Sequence, residues 1–475
     1  MSRLRILRAV RLLVPLWALW AAIPGHAQEL PAYTFKLNDL ELFPQIISLN
    51  YESQPQAGDL AMINGIMVTL GEPGAYAFYV PLEQRERLYL AGADGKRTLH
   101  GVRVTWAMRA GEKVLVNPLP ELEAGELAGL RGVFLDYWDD TVAKRIGQLD
   151  PQKTCVTLTD LVALGETRAL PALPANLRAL AVYEKHGGGF NDYGSLRKLS
   201  KLEFFAVISY GHPALDMELF TGMPALKYLD VSATTVQHAE ALARCPALRS
   251  LNLGFTRGVK DVAFAKALSD LRVLDVQQTE VADLTPLSEH ANLRFVLANR
   301  SPVKKLPVGK LPALQGAELL KTPLSEADVA QFRQSNPNAV VLFQLDKLLA
   351  ESLKRCDRMR VRSLLPSGKI IEKPALEVAD TAVLSELGAQ VHVDMDSEAL
   401  ECACSTGPFL EFMQKDQVVV TLAFRHNKQA EWLGGVLGNW PLRNESIQFL
   451  VSWLGKHDVK VEDNPLPGLP NPLDP

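Results

Sequence analysis

Hydrophobic residues in the middle of this chain fall into a repeated phrase. PALKYLDVSATTV, PALRSLNLGFTRGV and SDLRVLDVQQTEV share apolar anchors at Leu226, Leu248 and Leu271, followed by Leu293 and Leu314. Within each phrase apolar and polar positions alternate, which predicts a short strand with one buried face. The central apolar residues form the series Val133, Val156, Leu180, Phe205, Leu229, Leu251, Leu274, Val296 and Ala317, with a degenerate last copy near Leu342. The residues two further on are Leu135, Leu158, Val182, Val207, Val231, Leu253, Val276, Ala298 and Leu319. Strand residues at i and i+2 share a face, so the pairs predict one continuous hydrophobic ridge. Segments such as QHAEALARC, DVAFAKAL and DLTPLSEH lie between the strands and read as helical or turn connections.

A second register runs beside the first. Thr234, Thr256, Thr279, Ser301 and Thr322 each stand three residues after the second ridge position, and Val236, Val259, Val281, Val303 and Leu324 then return to the core. Side-chain hydroxyls bond nearby backbone groups, so this ladder predicts a repeated turn at each strand exit. An L-x-x-L-x-L phrase at a period of roughly 20 to 29 residues resembles leucine-rich repeats. The likeness is to the short bacterial kind, with hydroxyls in place of the usual Asn ladder, and VADLTPLSEHANL is internalin-like. The resemblance implies an α/β leucine-rich-repeat solenoid of about ten strands over residues 126–345.

The flanks read differently. MSRLRILRAVRLLVPLWALWAAIPGHAQ has a basic start (Arg3, Arg5, Arg8, Arg11), a short apolar core broken by Pro15, and small residues at Gly25 and Ala27. This is the pattern of a signal peptide over 1–27, cleaved after Ala27, which points to a periplasmic or secreted protein. No later stretch is long and apolar enough for a membrane span. Residues 28–125 alternate short apolar runs with turns, including Ala93-Asp94-Gly95, and predict an all-β domain that caps the solenoid. Residues 346–463 mix strands such as CDRMRVRSL, VHVDM and LECACS with the helices TAVLSELGA and SIQFLVSWLGKH, which predicts an α+β domain. Its C-x-C-x-x-G-x-x-L-E-F stretch resembles C-terminal modules of bacterial exported proteins. Residues 464–475 are a Pro-rich tail read as disordered.

A formal net charge of −4 with 22% charged residues gives no case for nucleic acid as a partner. Repeat solenoids bind through the concave sheet, whose residues alternate with the buried ones. The alternate positions here are mildly acidic, and they nominate Tyr183, Asp230, Asn252, Asp275 and Asn299 as contacts for a protein or peptide partner.

Five cysteines leave one unpaired at least. Cys155 and Cys245 lie four strand steps apart, about 20 Å, too far for a disulfide. Cys356 is the candidate partner for Cys402 or Cys404. An alternative reading places an envelope enzyme or a thiol or metal site in the C-terminal domain, with His392, Asp394, Asp396, Cys402, Cys404 and His426 as its groups. The spacing matches no known ligand motif, so no metal and no cofactor is assigned. Ser195-x-x-Lys198 lacks its S-D-N partner, and Gly187-Gly188-Gly189 lacks the G-K-[ST] that would follow in a phosphate loop. The sequence therefore reads as a non-catalytic binding protein.

Overall fold

The structure is a computed structural model. It describes residues 33–34, 60–63, 66–69, 76–77, 87–91, 97–109 and 112–461, apart from 152–153, 160–168, 185–189, 210–212, 364–372, 396–406, 426–427 and 436–437. The chain divides into two compact units between Phe343 and Gln344.

The first unit is built on a thirteen-stranded sheet. In chain order its strands are β1 (Arg87–Ala91), β2 (Arg97–Arg109), β3 (Glu112–Val116), β4 (Gly132–Leu135), β5 (Cys155–Thr159), β6 (Ala179–Glu184) and β7 (Phe204–Ser209). Then follow β8 (Tyr228–Asp230), β9 (Ser250–Asn252), β10 (Val273–Asp275), β11 (Phe295–Leu297), β12 (Gly316–Glu318) and β13 (Val340–Leu342). β1 and β3 pair antiparallel to β2, β2 lies parallel to β4, and from β4 onward each strand lies parallel to the next. The result is an α/β solenoid. One register runs Val133, Val156, Leu180, Phe205, Leu229, Leu251, Leu274, Val296 and Ala317, all buried.

Two details differ from the sequence reading. The solenoid begins before residue 126, because β2 joins the parallel sheet with Val102 opposite Val133. The last ridge residue is Val341, opposite Ala317, and Leu342 falls on the other face.

Each strand exit repeats one corner. Ala233, Phe255, Gln278, Arg300 and Lys321 all adopt positive φ, between 50° and 61°. Each is followed by a ladder hydroxyl. Thr234, Thr256 and Thr279 donate to the carbonyls of Val231, Leu253 and Val276 at 2.6 Å, and Thr322 donates to Leu319 at 2.8 Å. Ser301 bridges rungs instead, accepting from Thr279 N–H and donating to Val276. The hydroxyl thus gives each turn carbonyl a short bond from a side chain. Beyond the corner the connections are mostly short 3-10 turns, such as Met217–Phe220, Ala239–Arg244 and Ala263–Ala267. A period of 22 or so residues leaves no room for a longer helix. At the start of the solenoid lie α1 (Ala124–Gly129) and α2 (Asp140–Ile146), and Arg145 of α2 donates to the carbonyls of Leu119 and Leu122. Near its end α3 (Glu326–Ser335) carries a Ser325/Asp328 capping box.

The second unit is a six-stranded sheet with antiparallel pairing throughout. Its strands are β14 (Arg358–Arg362), β15 (Leu376–Val378), β16 (Phe409–Gln414), β17 (Gln417–Phe424), β18 (Ala430–Gly435) and β19 (Gly438–Pro441). Helix α4 (Leu345–Lys354) packs on β17, α5 (Thr381–Gln390) on β14, and α6 (Asn444–Lys456) on α5. Met359, Val361, Leu410, Phe412 and Leu422 are buried on one side of each strand, while Arg358, Arg360 and Arg362 alternate with them. The stretch VHVDM is not a strand: Val393 makes one isolated bridge to Leu442.

Candidate functional site

The concave face of the solenoid is the candidate site, and its register is unbroken. Asp230, Asn252, Asp275, Leu297 and Glu318 stand opposite one another on consecutive strands β8 to β12. Behind this row lies an apolar one: Cys155, Ala179, Phe204 and Ala206 form a small cluster with Ala181 and Tyr228, and the Phe204 and Tyr228 rings lie 5.7 Å apart.

The polar row is committed to the backbone. The N–H two residues beyond Asp230, Asn252 and Asp275 belongs to the exit turn. In each case the side-chain oxygen accepts it, from Ser232, Gly254 and Gln277, at 2.9 Å. An Asp or Asn is the residue type suited to this local bond. Each carboxylate also takes one carboxamide. Asn252 Nδ2 donates to Asp230 Oδ2 at 3.1 Å, Gln277 Nε2 to Asp275 Oδ2 at 2.7 Å, and Asn299 Nδ2 to Glu318 Oε2 at 2.7 Å.

These bonds revise the nominated contacts. Asp230, Asn252 and Asp275 are 3%, 2% and 3% exposed, so they frame the face rather than present themselves on it. Asn299 is half-buried, as is Glu318 on the neighbouring strand. Tyr183 belongs to β6, opposite Ile208, but its side chain is outside the described residues. Burial pushes the Asp230 carboxyl up to about 6 and Asp275 up to about 7, with the Asp230 charge adding to the second. Burial likewise takes Glu318 up to about 8, helped by Asp275. Water screens half-buried Glu318, so Asp275 is the more strongly held of the two.

A basic row flanks the face and was not singled out from the sequence. Arg178, Glu203, Lys227, Arg249, Arg272 and Arg294 each precede a strand and follow one another through backbone bonds. Glu203 accepts from Arg178 at 2.6 Å and Lys227 at 2.9 Å. Its burial raises the carboxyl pKa, but the two cations outweigh that and hold it below the usual range. The recurring K/R in LKYL, LRSL, LRVL and LRFV is the signal that could have shown it.

In the second unit the proposed Cys356 bridge is not formed. Cys356 is a free, buried thiol at the end of α4, with Sγ donating to the Ser352 carbonyl at 3.2 Å. Cys402, Cys404, His426 and Asp396 lie outside the described residues. Among the described residues no group of three or more His, Cys, Asp or Glu side chains is placed to hold a metal ion. Ser195 and Lys198 lie in the 3-10 turn Gly194–Lys198. Also among the described residues, no helix is long and apolar enough to cross a membrane.

No family model and no curated protein matches the sequence. Among solved structures, an internalin of Listeria monocytogenes is 16% identical over 46% of this chain and 68% of its own, with a TM-score of 0.34. A leucine-rich-repeat protein of Leptospira interrogans is 15% identical over 46% of this chain and 67% of its own, with a TM-score of 0.29. A chain of the mouse RP105/MD-1 complex is 18% identical over 52% of this chain and 43% of its own, with a TM-score of 0.38.

Proposed function

We propose that this chain is an exported, non-catalytic protein that recognises a protein or peptide partner on the concave face of its solenoid. The observation that carries the reading is the single unbroken parallel register of β2 and β4 to β13. It presents rows of side chains fixed before any partner arrives, so little ordering entropy is lost on binding. Within that face the partner meets the half-buried positions, Asn299, Glu318, Tyr228 and Phe295, together with Tyr183. Asp230, Asn252 and Asp275 hold the rows in place. Export rests on the leader pattern, and cleavage after Ala27 gives a mature chain beginning at Gln28.

The test is affinity capture from native envelope with the wild-type chain and with Asn299→Arg/Glu318→Lys. The double variant loses the captured partner while remaining folded, with its thermal unfolding lowered because Asn299 no longer accepts the Leu320 N–H. Undiminished capture by a folded double variant rules the concave face out. Mass analysis of the exported chain checks the mature start.

A further inference from the structure

Asp230, Asp275 and Glu318 occupy alternate strands of one row, so each stands about 9.6 Å from the next. Each is bonded to a carboxamide, but the three amides differ in freedom. Asn252 Oδ1 is held by Gly254 N–H and Asn299 Oδ1 by Leu320 N–H. Neither amide can turn over without releasing a backbone donor. Gln277 is different: Nε2 donates to Asp275 Oδ2, and Oε1 accepts nothing among the described residues. Turning Gln277 over would bring a hydrogen-bond acceptor to the position of a donor at no loss elsewhere.

We propose that Asp275 and Gln277 form a proton-operated latch at the exit of β10. With Asp275 ionised, Gln277 Nε2 donates to it. When Asp275 takes a proton from solvent on Oδ2, the amide turns over and Oε1 accepts the new O–H bond. Both states keep the Gln277 N–H bond to Asp275 Oδ1, so the turn itself stays closed.

The electrostatic setting favours the protonated state. Along the row, uncharged Asn252 and Leu297 flank Asp275, with Asp230 and Glu318 beyond them. Along the strand the same-face neighbours are Val273 and Gln277. The cations nearest in sequence, Arg272 and Arg294, stand one residue outside the first concave position of β10 and β11. Burial and the Asp230 charge set the Asp275 carboxyl near neutral. A folded-state value above the unfolded one means the folded chain binds more protons. The Asp275 contribution is then full below its unfolded value of about 3.9 and is lost as pH rises through about 7. This holds whether or not a partner docks on the face.

Amide hydrogen exchange with mass readout on the full chain, corrected for intrinsic rates, tests the latch at pH 5.5 and pH 8. In wild type, protection of the segment 250–279 falls about tenfold or more between the two, since one unit of pKa shift is tenfold in the equilibrium. Asp275→Asn, uncharged at both values, removes the Asp275 share of the fall and leaves that of Asp230 and Glu318. Gln277→Leu removes the donor that favours the carboxylate, so Asp275 keeps its proton to higher pH and the fall grows. Glu318→Gln leaves most of it. An equal change in wild type, Asp275→Asn and Gln277→Leu overturns the proposal, and Gln277→Leu decides alone if Asp275→Asn does not fold.

Discussion

Asn252 Nδ2 donates to Asp230 Oδ2 at 3.1 Å while Asn252 Oδ1 holds Gly254 N–H at 2.9 Å, so one amide ties two strands and closes a turn. Position 254 is glycine for the same reason. A Cβ there would sit 3.0 Å from Asp275 Oδ1 and 3.2 Å from Asn252 Oδ1.

Asn252→Ala leaves a buried N–H and a buried carboxylate each short of a partner, and costs about 2 to 4 kcal/mol. Asp230→Lys is worse, because it buries a cation among backbone donors. Asp230→Asn keeps the acceptor for Ser232 and is the mild change. Urea unfolding of the three variants checks the order. Equal midpoints would remove the row from the account of stability.

The left-handed corners give a stabilising prediction. Gln278 and Arg300 are exposed and hold φ near 50° and 60°. Replacing either by Gly relieves about 1 kcal/mol. Gly258, with φ near 89°, is the opposite case: a Cβ there would lie 2.3 Å from the Val236 carbonyl oxygen. Gly258→Ala destabilises by more than the two Gly variants together gain. Melting curves decide both signs.

Thr256→Ser keeps the bond to Leu253 and Thr256→Val does not. The valine variant leaves the Leu253 carbonyl with only its longer bond from the Thr256 N–H, at 3.3 Å, and costs about 0.5 to 1.5 kcal/mol more than the serine variant. Comparable losses in both would make the methyl group, not the hydroxyl, the stabilising part.

His290 sets an acid limit. It is 5% exposed, its Nδ1 has no hydrogen-bond partner among the described residues, and burial holds its pKa below the ordinary value. A depressed histidine stays neutral in the fold, so its contribution is intact above the unfolded value of about 6.5 and is lost as pH falls below it. This sign is opposite to that of Asp275. His290→Leu flattens the acid side of a stability profile and leaves the neutral side alone. A profile unchanged by the substitution would clear His290 of the role.

In the second unit, Arg425 and Glu431 form an ion pair with both side chains at 1–2% exposure. Glu431→Gln removes the charge paired with a buried guanidinium and costs about 3 to 5 kcal/mol, whereas Arg425→Met/Glu431→Leu comes much nearer to neutral. Denaturation of the full chain followed by a probe in the second unit measures both.

How much of this was legible follows from which forces the sequence displays. The ridge was readable because Leu229, Leu251 and Leu274 repeat a hydrophobic phrase with fixed parity. Parity failed at the end, where Ala339-Val340-Val341-Leu342 is apolar throughout and nothing marks which residue turns inward. The first rung escaped for a related reason. Val102 lies in a thirteen-residue strand that pairs with three others, and RTLHGVRVTWAMR lacks the repeat phrase. On the concave face the alternation was right and the exposure wrong. Asp230, Asn252 and Asp275 are polar because the exit turns need acceptors, a backbone demand that composition does not reveal. His392 and Asp394 show the reverse error, since alternating polar residues suggested a strand where Val393 makes an isolated bridge.

In the parallel sheet each strand bonds only to the strands on either side, so the solenoid behaves as a linear stack whose strength is that of its weakest rung. Asn252 couples β9 to β8 by its side chain as well as its backbone. A lesion there acts like a cut in a column of coins: two shorter stacks, each intact within itself, that no longer report on one another.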